Sequence, residues 1–397
     1  MFITVGLAPD LEEERAELAT FVHDRISPFA DAWDRAERVP REFVSELAER
    51  GYLGAAVPGE YGGGSLDAAS FGLLNEELGR GCSSVRSLLT VHSMVAQAVS
   101  RWGRPEQKEY WLPRFASGES IGAFALTEPG AGSDVQGIAA QARRTGTGFV
   151  LDGVKRWITF GQIADVFLLF AEVEEAKAAF LVPADTPGLT VRPISGVLGT
   201  RASMLAELHL DGCALPADAM VGRPGFGLSA VAATALELGR YSVAWGCVGL
   251  AQACLDASLA YADEREQFGR RLRDHQLVQR LITDMATGTS AARLLCQQAG
   301  ALRDARDVRS VHATWMAKYF SSTSAFRAAS DAVQILGASG CGGEHPVQRY
   351  LRDAKVMEII EGTTQLQQTV IAESVYHHRT PVRREEQQTK TMTGARR

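Results

Sequence analysis

A single carboxylate, Glu361, follows two isoleucines and precedes the dipeptide Gly362-Thr363. Burial among apolar neighbours disfavours the charged form of a carboxylic acid, so it raises the pKa and makes the carboxylate more basic. A general base works best when its pKa lies near the operating pH. This context is therefore suited to taking a proton from carbon. The spacing alone equally allows a carboxylate at a helix start, where the helix dipole favours negative charge.

A second stretch, residues 124–134, reads Phe-Ala-Leu-Thr-Glu-Pro-Gly-Ala-Gly-Ser-Asp. Its small residues allow a backbone to approach a flat ligand closely, and hydroxyl and carboxylate groups accompany them. Taken alone, the hydroxyls of Thr127 and Ser133 are ordinary turn hydroxyls. The stretch predicts a binding site only in combination with other motifs.

The composition excludes several classes of protein. The 397 residues are 46% hydrophobic and 22% charged, which is typical of a soluble protein, and the length predicts two or three domains. The net charge of −6 argues against nucleic acid as a partner. No His-Glu-x-x-His and no Gly-x-Ser-x-Gly occurs, so a zinc hydrolase and a serine hydrolase have no support.

The cysteines and the N-terminus bear on the compartment. The six cysteines form no Cys-x-x-Cys pair, so we expect buried thiols and no metal site. Four acidic residues among the first 15 come too early for a secretory signal. No apolar run approaches 18 residues, so no membrane span is expected. Together these features predict a cytoplasmic protein.

The first two thirds of the chain change from a helical to a β-rich pattern. Residues 10–118 show helical periodicity, and helices are expected at 41–51, 67–81, 84–102 and 105–117. Short strand-like runs separated by turn residues fill residues 121–222. Many short strands at this spacing predict a barrel or a sandwich.

The remainder returns to a helical pattern. Segments 226–264, 275–305 and 308–337 have the length of antiparallel bundle helices, and a shorter helix is expected from near Thr363. We therefore predict an N-terminal helical domain, a β domain and a C-terminal bundle, with a disordered tail. The predicted bounds are 1–120, 121–225, 226–379 and 380–397.

One motif is misleading. Residues 225–230 have the form Gly-x-Gly-x-x-Ala and enter a helix, as a dinucleotide-binding fingerprint does. The helix that follows is near 40 residues long, and no second strand completes a βαβ unit. A nicotinamide-binding fold is therefore rejected.

Two signatures together resemble those of the acyl-CoA dehydrogenase family, and the resemblance covers roughly residues 10–378. Residues 125–137 fit the first family signature throughout. The second is carried by Gln334, Gly337, Gly340, Glu344, Arg349 and Asp353, and it departs from the family at Ala338 and Cys341. The resemblance implies an α+β fold with an N-terminal helical domain, a middle β-barrel domain and a C-terminal four-helix bundle. It also implies FAD as cofactor.

The resemblance assigns roles to residues of the β domain. Thr127 matches a threonine that meets the flavin pyrimidine edge. Trp157 matches a tryptophan that stacks on the isoalloxazine, and Thr159 matches a threonine that faces N5. Without Thr159, Trp157 would be interpreted as an ordinary β-core residue. The cofactor-binding set in this region is Phe124, Leu126, Thr127, Gly132, Ser133, Trp157 and Thr159.

Other matched positions imply a second subunit. Arg265 matches an arginine that contacts the pyrophosphate of a neighbouring subunit's FAD, and Gln334 matches another cross-subunit contact. The arginines at 270, 271 and 273 are expected on a solvated face. The set implied here is Arg265, Phe268, Leu272, His275, Gln334, Ile335 and Ala338, with Thr363 and Gln365 near the phosphates and adenosine of FAD. We therefore expect a homo-oligomer, either a dimer or a tetramer.

The resemblance also identifies the base. Glu361 matches the catalytic base of the commonest branch, and Arg240 matches an arginine behind that base. Another branch carries its base at the position of Gly239, and glycine cannot serve there. Removing a thioester α-proton needs a base on one face and a hydride acceptor on the other, both held in place.

The whole chain is most similar to a branch that acts on short hydroxylated acyl groups carried by an acyl carrier protein, in making methoxymalonyl extender units for polyketides. This similarity implies a FAD-dependent dehydrogenase that oxidises a short acyl or hydroxyacyl thioester, with an acyl carrier protein as partner. The alternatives are an ordinary short-chain or branched-chain acyl-CoA dehydrogenase and a non-catalytic flavin-binding scaffold. The acyl group, the carrier, the electron acceptor and the number of subunits stay open at this point.

Overall fold

The computed structural model describes residues 9–377, and its first part is helical. The helices are α1 (Pro9–Arg25), α2 (Ala30–Ala36), α3 (Arg41–Glu49), α4 (Ala68–Gly81), α5 (Ser83–Trp102) and α6 (Pro105–Ser117). The four helices expected from periodicity are confirmed to within two residues at each end. They form because apolar residues recur on one face and are buried together, as Leu18, Phe21 and Val22 of α1 are. The tail predicted at 380–397 lies outside the described residues.

The middle part is a β sheet. Its strands are β1 (Gly122–Ala125), β2 (Gln141–Arg144), β3 (Gly148–Ile158), β4 (Val166–Val173), β5 (Ala176–Pro183), β6 (Leu189–Pro193), β7 (Ala206–Pro216) and β8 (Met220–Val221). The order is β6-β7-β3-β2-β4-β5-β8, and β1 pairs in parallel with β4. Within residues 9–377 no pairing joins β6 to β8, so strand pairing does not close this sheet into a complete barrel.

The last part is a bundle of long helices. The elements are α7 (Ala233–Glu264), the hairpin β9 (Glu266–Gln267) and β10 (Arg270–Arg271), α8 (Gln276–Asp304), α9 (Ser310–Leu336), α10 (Ala338–Cys341), α11 (Val347–Met357) and α12 (Thr364–His377). Trp315 of α9 lies near Arg240, and Ser339 after α9 lies near Tyr261. Helices α7 and α9 therefore run in the same direction, with α8 returning between them. The three-part fold expected from the resemblance is confirmed.

Two helical features escaped the sequence analysis. Residues 227–232 form a π-helical turn that leads into α7. Helix α11 was not foreseen, although it carries two residues of the second signature. Its Arg349 bonds to Asp31 of α2 at 2.6 Å, and its Asp353 accepts from the backbone N–H of Thr200 at 2.6 Å. These buried contacts fix α11 against the N-terminal helices and the loop before β7.

Helix α7 with its π-helical turn forms a long apolar segment. By length and composition alone, the helical segment 227–264 could cross a membrane, since an 18-residue window has a mean hydropathy of 1.4. Because 72% of that window is buried inside the molecule, packing accounts for its apolar character. Helix α5 runs antiparallel along it, with Met94 near Gly239 and Arg86 near Gly246.

The cysteines are free thiols, and most are buried. The buried ones are Cys82, Cys213, Cys247, Cys254 and Cys296. The expectation of burial is wrong for Cys341, which is exposed. Cys341 is the last residue of the short helix α10 and lies at the surface.

Candidate active site

Glu361 lies in a turn between α11 and α12. Its φ of 54° and the φ of 93° at Gly362 are both left-handed. A residue other than glycine in this conformation costs about 1–3 kcal/mol, so the surrounding structure must hold it there. Helix α12 begins at Thr364, and the Thr363 hydroxyl accepts a hydrogen bond from the N–H of Leu366 at 3.2 Å. Thr363 thus serves the helix start, so the interpretation of Glu361 as a helix-start carboxylate loses its support.

The Glu361 carboxylate points at α7. Its Oε2 atom is buried and has no hydrogen-bond partner among the described residues. A Cβ atom on Gly239 would lie 2.7 Å from Oε2 and 2.8 Å from Sδ of Met94. The carboxylate is therefore seated between α7 and α5, and the seat exists because residue 239 has no side chain.

Three cations surround this carboxylate. Arg240 donates from Nε to the Glu361 carbonyl at 3.2 Å, and its guanidinium lies over the Trp315 ring at 4.0 Å. Lys318 donates from Nζ to the Gly362 carbonyl at 2.9 Å. Burial raises the pKa of Glu361, and the charges of Arg240, Lys318 and Arg86 partly oppose that rise. A raised pKa is what a base for a carbon acid requires.

The loop after β1 is fixed to strand β3. The N–H of Arg156 donates to the Thr127 carbonyl at 2.8 Å. Lys155, which is fully buried, bonds to Glu128 Oε1 at 2.6 Å and to the Leu126 carbonyl at 3.1 Å. Glu128 also accepts the backbone N–H groups of residues 139 and 140. Because this buried pair bonds to the backbone at residues 126, 139 and 140, it ties the loop to the strand.

Trp157 stands out on this strand. Its φ is 64°, it lies in an irregularity of the β3–β7 register, and 48% of its surface is exposed. The half-buried hydroxyl residues Thr127 and Thr159 flank it. A Cβ atom on Gly130 or Gly132 would meet no atom within 4 Å, so the adjoining loop borders open space. An exposed indole beside two hydroxyls and an open glycine loop fits a flat flavin ring.

The two halves of the site meet at Met94. Its sulfur lies against Gly239 and the base, and its side chain belongs to the same buried apolar cluster as Leu126 and Ala131. Phe124 borders this cluster, and its ring lies 5.1 Å from that of Phe170. Met94 thus connects the base with the apolar cluster to which the β1 loop belongs.

A cleft of about 960 Å³ opens along the first turns of α7. Its lining includes Trp102, Phe226, Glu237 and Leu238, and Arg306 lies at its rim. Its lining on the helical segment that leads into and forms α7 ends at Leu238, the residue before Gly239. The cleft thus runs along the same helix that carries Gly239.

The remaining predicted residues lie at the far end of the bundle. Arg265 is 26 residues beyond Gly239 on α7, which corresponds to about 39 Å at the usual helical rise. Gln334 and Ala338 are exposed, Leu272 and Ile335 pack on the apolar cluster of this end, and Phe268 is 95% exposed with His275 beside it. One chain therefore does not bring Arg265 to its own Trp157. Gln365, by contrast, lies exposed on α12 near Glu361.

Several residues of this site were not found from the sequence. Lys155, Lys318 and Arg86 each occupy a position where an apolar residue is expected, and a charged residue within an apolar stripe is the available signal. Burial of such residues is rare unless they have a partner. The partners of Lys155 and Lys318 lie 27 to 44 residues away in the sequence, which spacing does not reveal. Arg86 bonds to the nearby hydroxyls of Ser87 and Thr90.

Comparison with protein families matches the chain in three successive parts. Residues 8–119, 123–213 and 225–376 match the N-terminal, middle and C-terminal domains of acyl-CoA dehydrogenase. The mitochondrial short-chain specific acyl-CoA dehydrogenase of Rattus norvegicus is 37% identical over 358 residues, which are 89% of this chain and 86% of the rat protein.

Solved structures give the same result. A glutaryl-CoA dehydrogenase from Mycobacterium smegmatis in complex with FADH2 is 34% identical with a TM-score of 0.90, covering 94% of this chain and 95% of that one. FkbI, for biosynthesis of the methoxymalonyl extender unit of the polyketide Fk520, is 37% identical with a TM-score of 0.84, covering 92% and 99%. The prolyl acyl carrier protein oxidase AnaB is 28% identical with a TM-score of 0.88, covering 93% and 100%. The chain belongs to the acyl-CoA dehydrogenase family, FAD-dependent oxidoreductases that act on acyl thioesters.

Proposed function

We propose that this protein oxidises a short acyl thioester with Glu361 as the catalytic base. The observation that carries the proposal is the Glu361 carboxylate, which is held against Gly239 with its Oε2 atom buried and without a partner among the described residues. A carboxylate that is already satisfied would be a poor proton acceptor. One that is desolvated and unpaired is ready to accept a proton.

The residues of this chain divide the work. Glu361 would remove a proton from the substrate. Trp157, Thr159 and Thr127 would hold the flavin against the β domain. FAD supplies the acceptor for the hydride that leaves the substrate. The proton goes to Glu361 and the electron pair leaves with the hydride, so a C–C single bond becomes a double bond. On a hydroxyl-bearing carbon the same two transfers would give a carbonyl.

A buried arginine favours an oxygenated acyl group. Arg86 is 1% exposed and bonds to the hydroxyls of Thr90 and Ser87 and to Sδ of Met357. No carboxylate of residues 9–377 forms an ion pair with it, although an unpaired buried cation is costly. Arg86 lies at Gly246, two helical turns or about 10 Å along α7 from the seat of the base at Gly239.

That separation suits a short substrate. About 3 Å separates a base from the carbon it deprotonates, and about 2.8 Å separates a guanidinium from a bound oxygen. About 4 Å is left for the chain, the span of three C–C bonds. An acyl group of four or five carbons with an oxygen at its far end would satisfy Arg86.

We further propose that the acyl group is carried by an acyl carrier protein and that the enzyme is a homo-oligomer. The likeness to FkbI and to AnaB supports the first statement. A pantetheine arm, which CoA and carrier proteins share, would enter through the cleft along α7. The separation of about 39 Å between Gly239 and Arg265 along α7 supports the second, since a neighbouring subunit could place Arg265 on the phosphates of FAD.

One experiment tests the function. FAD-loaded protein is mixed, without an electron acceptor, with matched CoA and carrier-protein thioesters of butyryl and 3-hydroxybutyryl groups, and the flavin absorbance is followed. We expect bleaching with thioesters and a loss of about 10²–10⁴-fold in rate for Glu361→Gln. If none of the thioesters bleached the flavin, the protein would be a non-catalytic flavin-binding scaffold. Equal or better use of the CoA esters would indicate an ordinary acyl-CoA dehydrogenase.

A further inference from the structure

The position of the base is set by its backbone. Because Oε2 of Glu361 has no partner among the described residues, no hydrogen bond fixes that carboxylate oxygen. Its direction follows from the left-handed φ angles of Glu361 and Gly362. Whatever holds these two peptides therefore aims the base.

Two cations from different helices hold the two consecutive carbonyls. Arg240 of α7 binds the carbonyl of Glu361, and Lys318 of α9 binds the carbonyl of Gly362. Gln367 of α12 donates a second hydrogen bond to the Gly362 carbonyl at 2.8 Å. The turn is thus fixed from three helices at once, which explains how the strained conformation persists.

Burying the charge of Lys318 costs more free energy than holding the Gly362 carbonyl requires. It is fully buried, and no carboxylate of residues 9–377 forms an ion pair with it. Burial lowers the pKa of Lys318 to about 8. A neutral donor could hold the Gly362 carbonyl, as Gln367 already does, without the penalty for burying a charge. The positive charge of Lys318 must therefore serve something other than the hydrogen bond to Gly362.

The groups around Lys318 supply that reason. They are Cys247 and Arg240 of α7, Glu358 at the end of α11, and Glu361. The thiol of Cys247 is kept neutral because burial raises its pKa to about 11. Glu358 already pairs with Lys355 at 2.8 Å. The unpaired negative charge that Lys318 can stabilise is thus the Glu361 carboxylate.

We propose that Lys318 is a positioning residue of the oxidation: it fixes the peptide that follows Glu361, and its charge favours the ionised form of that base. The proposal rests on the role of Glu361 given above. A cation beside the base lets the turn be buried without the carboxylate becoming permanently protonated. The charge of Lys318 thus favours the ionised carboxylate, whereas the apolar surroundings at Gly239 and Met94 favour the protonated one.

The test compares Lys318→Met, Lys318→Gln and Lys318→Arg, with Lys108→Met on α6 as the control, because Lys108 takes no part in the turn around Glu361. Each variant is measured for flavin content, melting temperature, kcat, KM and the pH dependence of flavin reduction. Exchange of the thioester α-hydrogens with deuterated solvent is followed as well, because it reports proton removal without oxidation.

We expect Lys318→Met to keep its flavin and its KM but to lose about 10- to 100-fold in kcat and in α-hydrogen exchange. The acid limb of its pH profile should move up by about one pH unit, since a nearby positive charge is lost. Lys318→Arg should recover much of the rate. Lys318→Gln should show the pH shift with a smaller loss of rate, and Lys108→Met should match the wild type.

Wild-type kcat and pH profile in Lys318→Met would overturn the proposal. If that variant does not fold, Lys318→Gln decides: a shifted acid limb supports the proposal and an unchanged one overturns it. Glu361→Gln separates this inference from the proposed function. If Glu361→Gln is active, Glu361 is not the base and the proposed function fails. If Glu361→Gln is inactive and Lys318→Met is fully active, only the role of Lys318 fails.

Discussion

The Glu361 carboxylate fills the space that a side chain on Gly239 would need. A Cβ atom there would come within 2.7 Å of Oε2, far inside contact distance. In the branch of the family that carries its base on this helix, a side chain starts from the matching position. The two arrangements therefore exclude each other sterically, and the glycine at 239 is part of the catalytic geometry.

Gly239→Ala tests this relationship. The clash of the new methyl group should cost about 1–3 kcal/mol of stability. The helix preference of alanine over glycine, about 1 kcal/mol, offsets part of that loss. The displaced base should lower the rate of flavin reduction by about 100-fold. The control is Gly288→Ala on α8, where an added Cβ would meet its nearest neighbour at 3.8 Å. Wild-type reduction by Gly239→Ala would show that the carboxylate acts from another position.

The pH dependence of reduction follows from the raised pKa of Glu361. Only the ionised carboxylate accepts the proton, so the rate should rise with pH as Glu361 loses its own proton. Because burial raises that pKa above the usual value of 4.5, the rise should fall at a higher pH than for an exposed glutamate. The measurement is the rate of flavin reduction from pH 5 to pH 9 at saturating substrate. A rate that is constant over this range would contradict an elevated pKa.

Arg86→Met should change substrate preference. The change removes a buried cation and keeps the volume, so we expect unchanged or increased stability. Reduction by a thioester with a terminal carboxylate or hydroxyl should fall by 100-fold or more, because the oxygen loses a charge-assisted bond. Reduction by butyryl thioester should hold or improve. The separate rates for the carboxylate and the hydroxyl identify which oxygen Arg86 prefers.

Arg293→Met is the matched control for Arg86. Arg293 is also buried, but it pairs with Glu76 at 2.8 Å. Its loss leaves the buried Glu76 carboxylate with Arg15 as its remaining cation, so it should cost less stability than the about 3–5 kcal/mol of a buried pair that is fully broken. Substrate preference should not change. An equal loss of every substrate in Arg86→Met would assign Arg86 to packing instead.

The candidate base could be predicted from the sequence, but the residues that hold it in place could not. The motif around Glu361 and the helix and strand patterns were visible because they are local. Lys318 and Lys155 could not be recognised, since their partners are the carbonyls of Gly362 and Leu126, 44 and 29 residues away. The open edge of the sheet likewise depends on which strands pair, which alternation alone does not specify.

Arg265→Ala should weaken retention of FAD. In the proposed oligomer this arginine reaches a neighbour's cofactor, and a charge-assisted phosphate contact is worth about 1.5–3 kcal/mol. The measurements are the flavin content after gel filtration and the mass of the assembly. Arg270→Ala on the same hairpin is the control, because Arg270 is expected to face solvent. A protein that keeps all its FAD as a monomer would contradict the shared site.

The carrier-protein proposal predicts a salt effect with a defined location. Acyl carrier proteins are acidic, and Arg306 lies exposed at the rim of the cleft along α7, close to Val308, which is 86% exposed. Charge pairing at such a rim mainly raises the association rate and is screened by salt. Flavin reduction by the carrier-protein thioester should therefore slow as salt rises, and reduction by the CoA thioester of the same acyl group much less.

Arg306→Glu should slow the carrier-protein reaction at low salt, whereas Arg280→Glu on the exposed face of α8 should not. Equal salt dependence for both thioesters, together with no effect of Arg306→Glu, would remove carrier-protein docking at this rim and leave the roles of Glu361 and FAD unchanged.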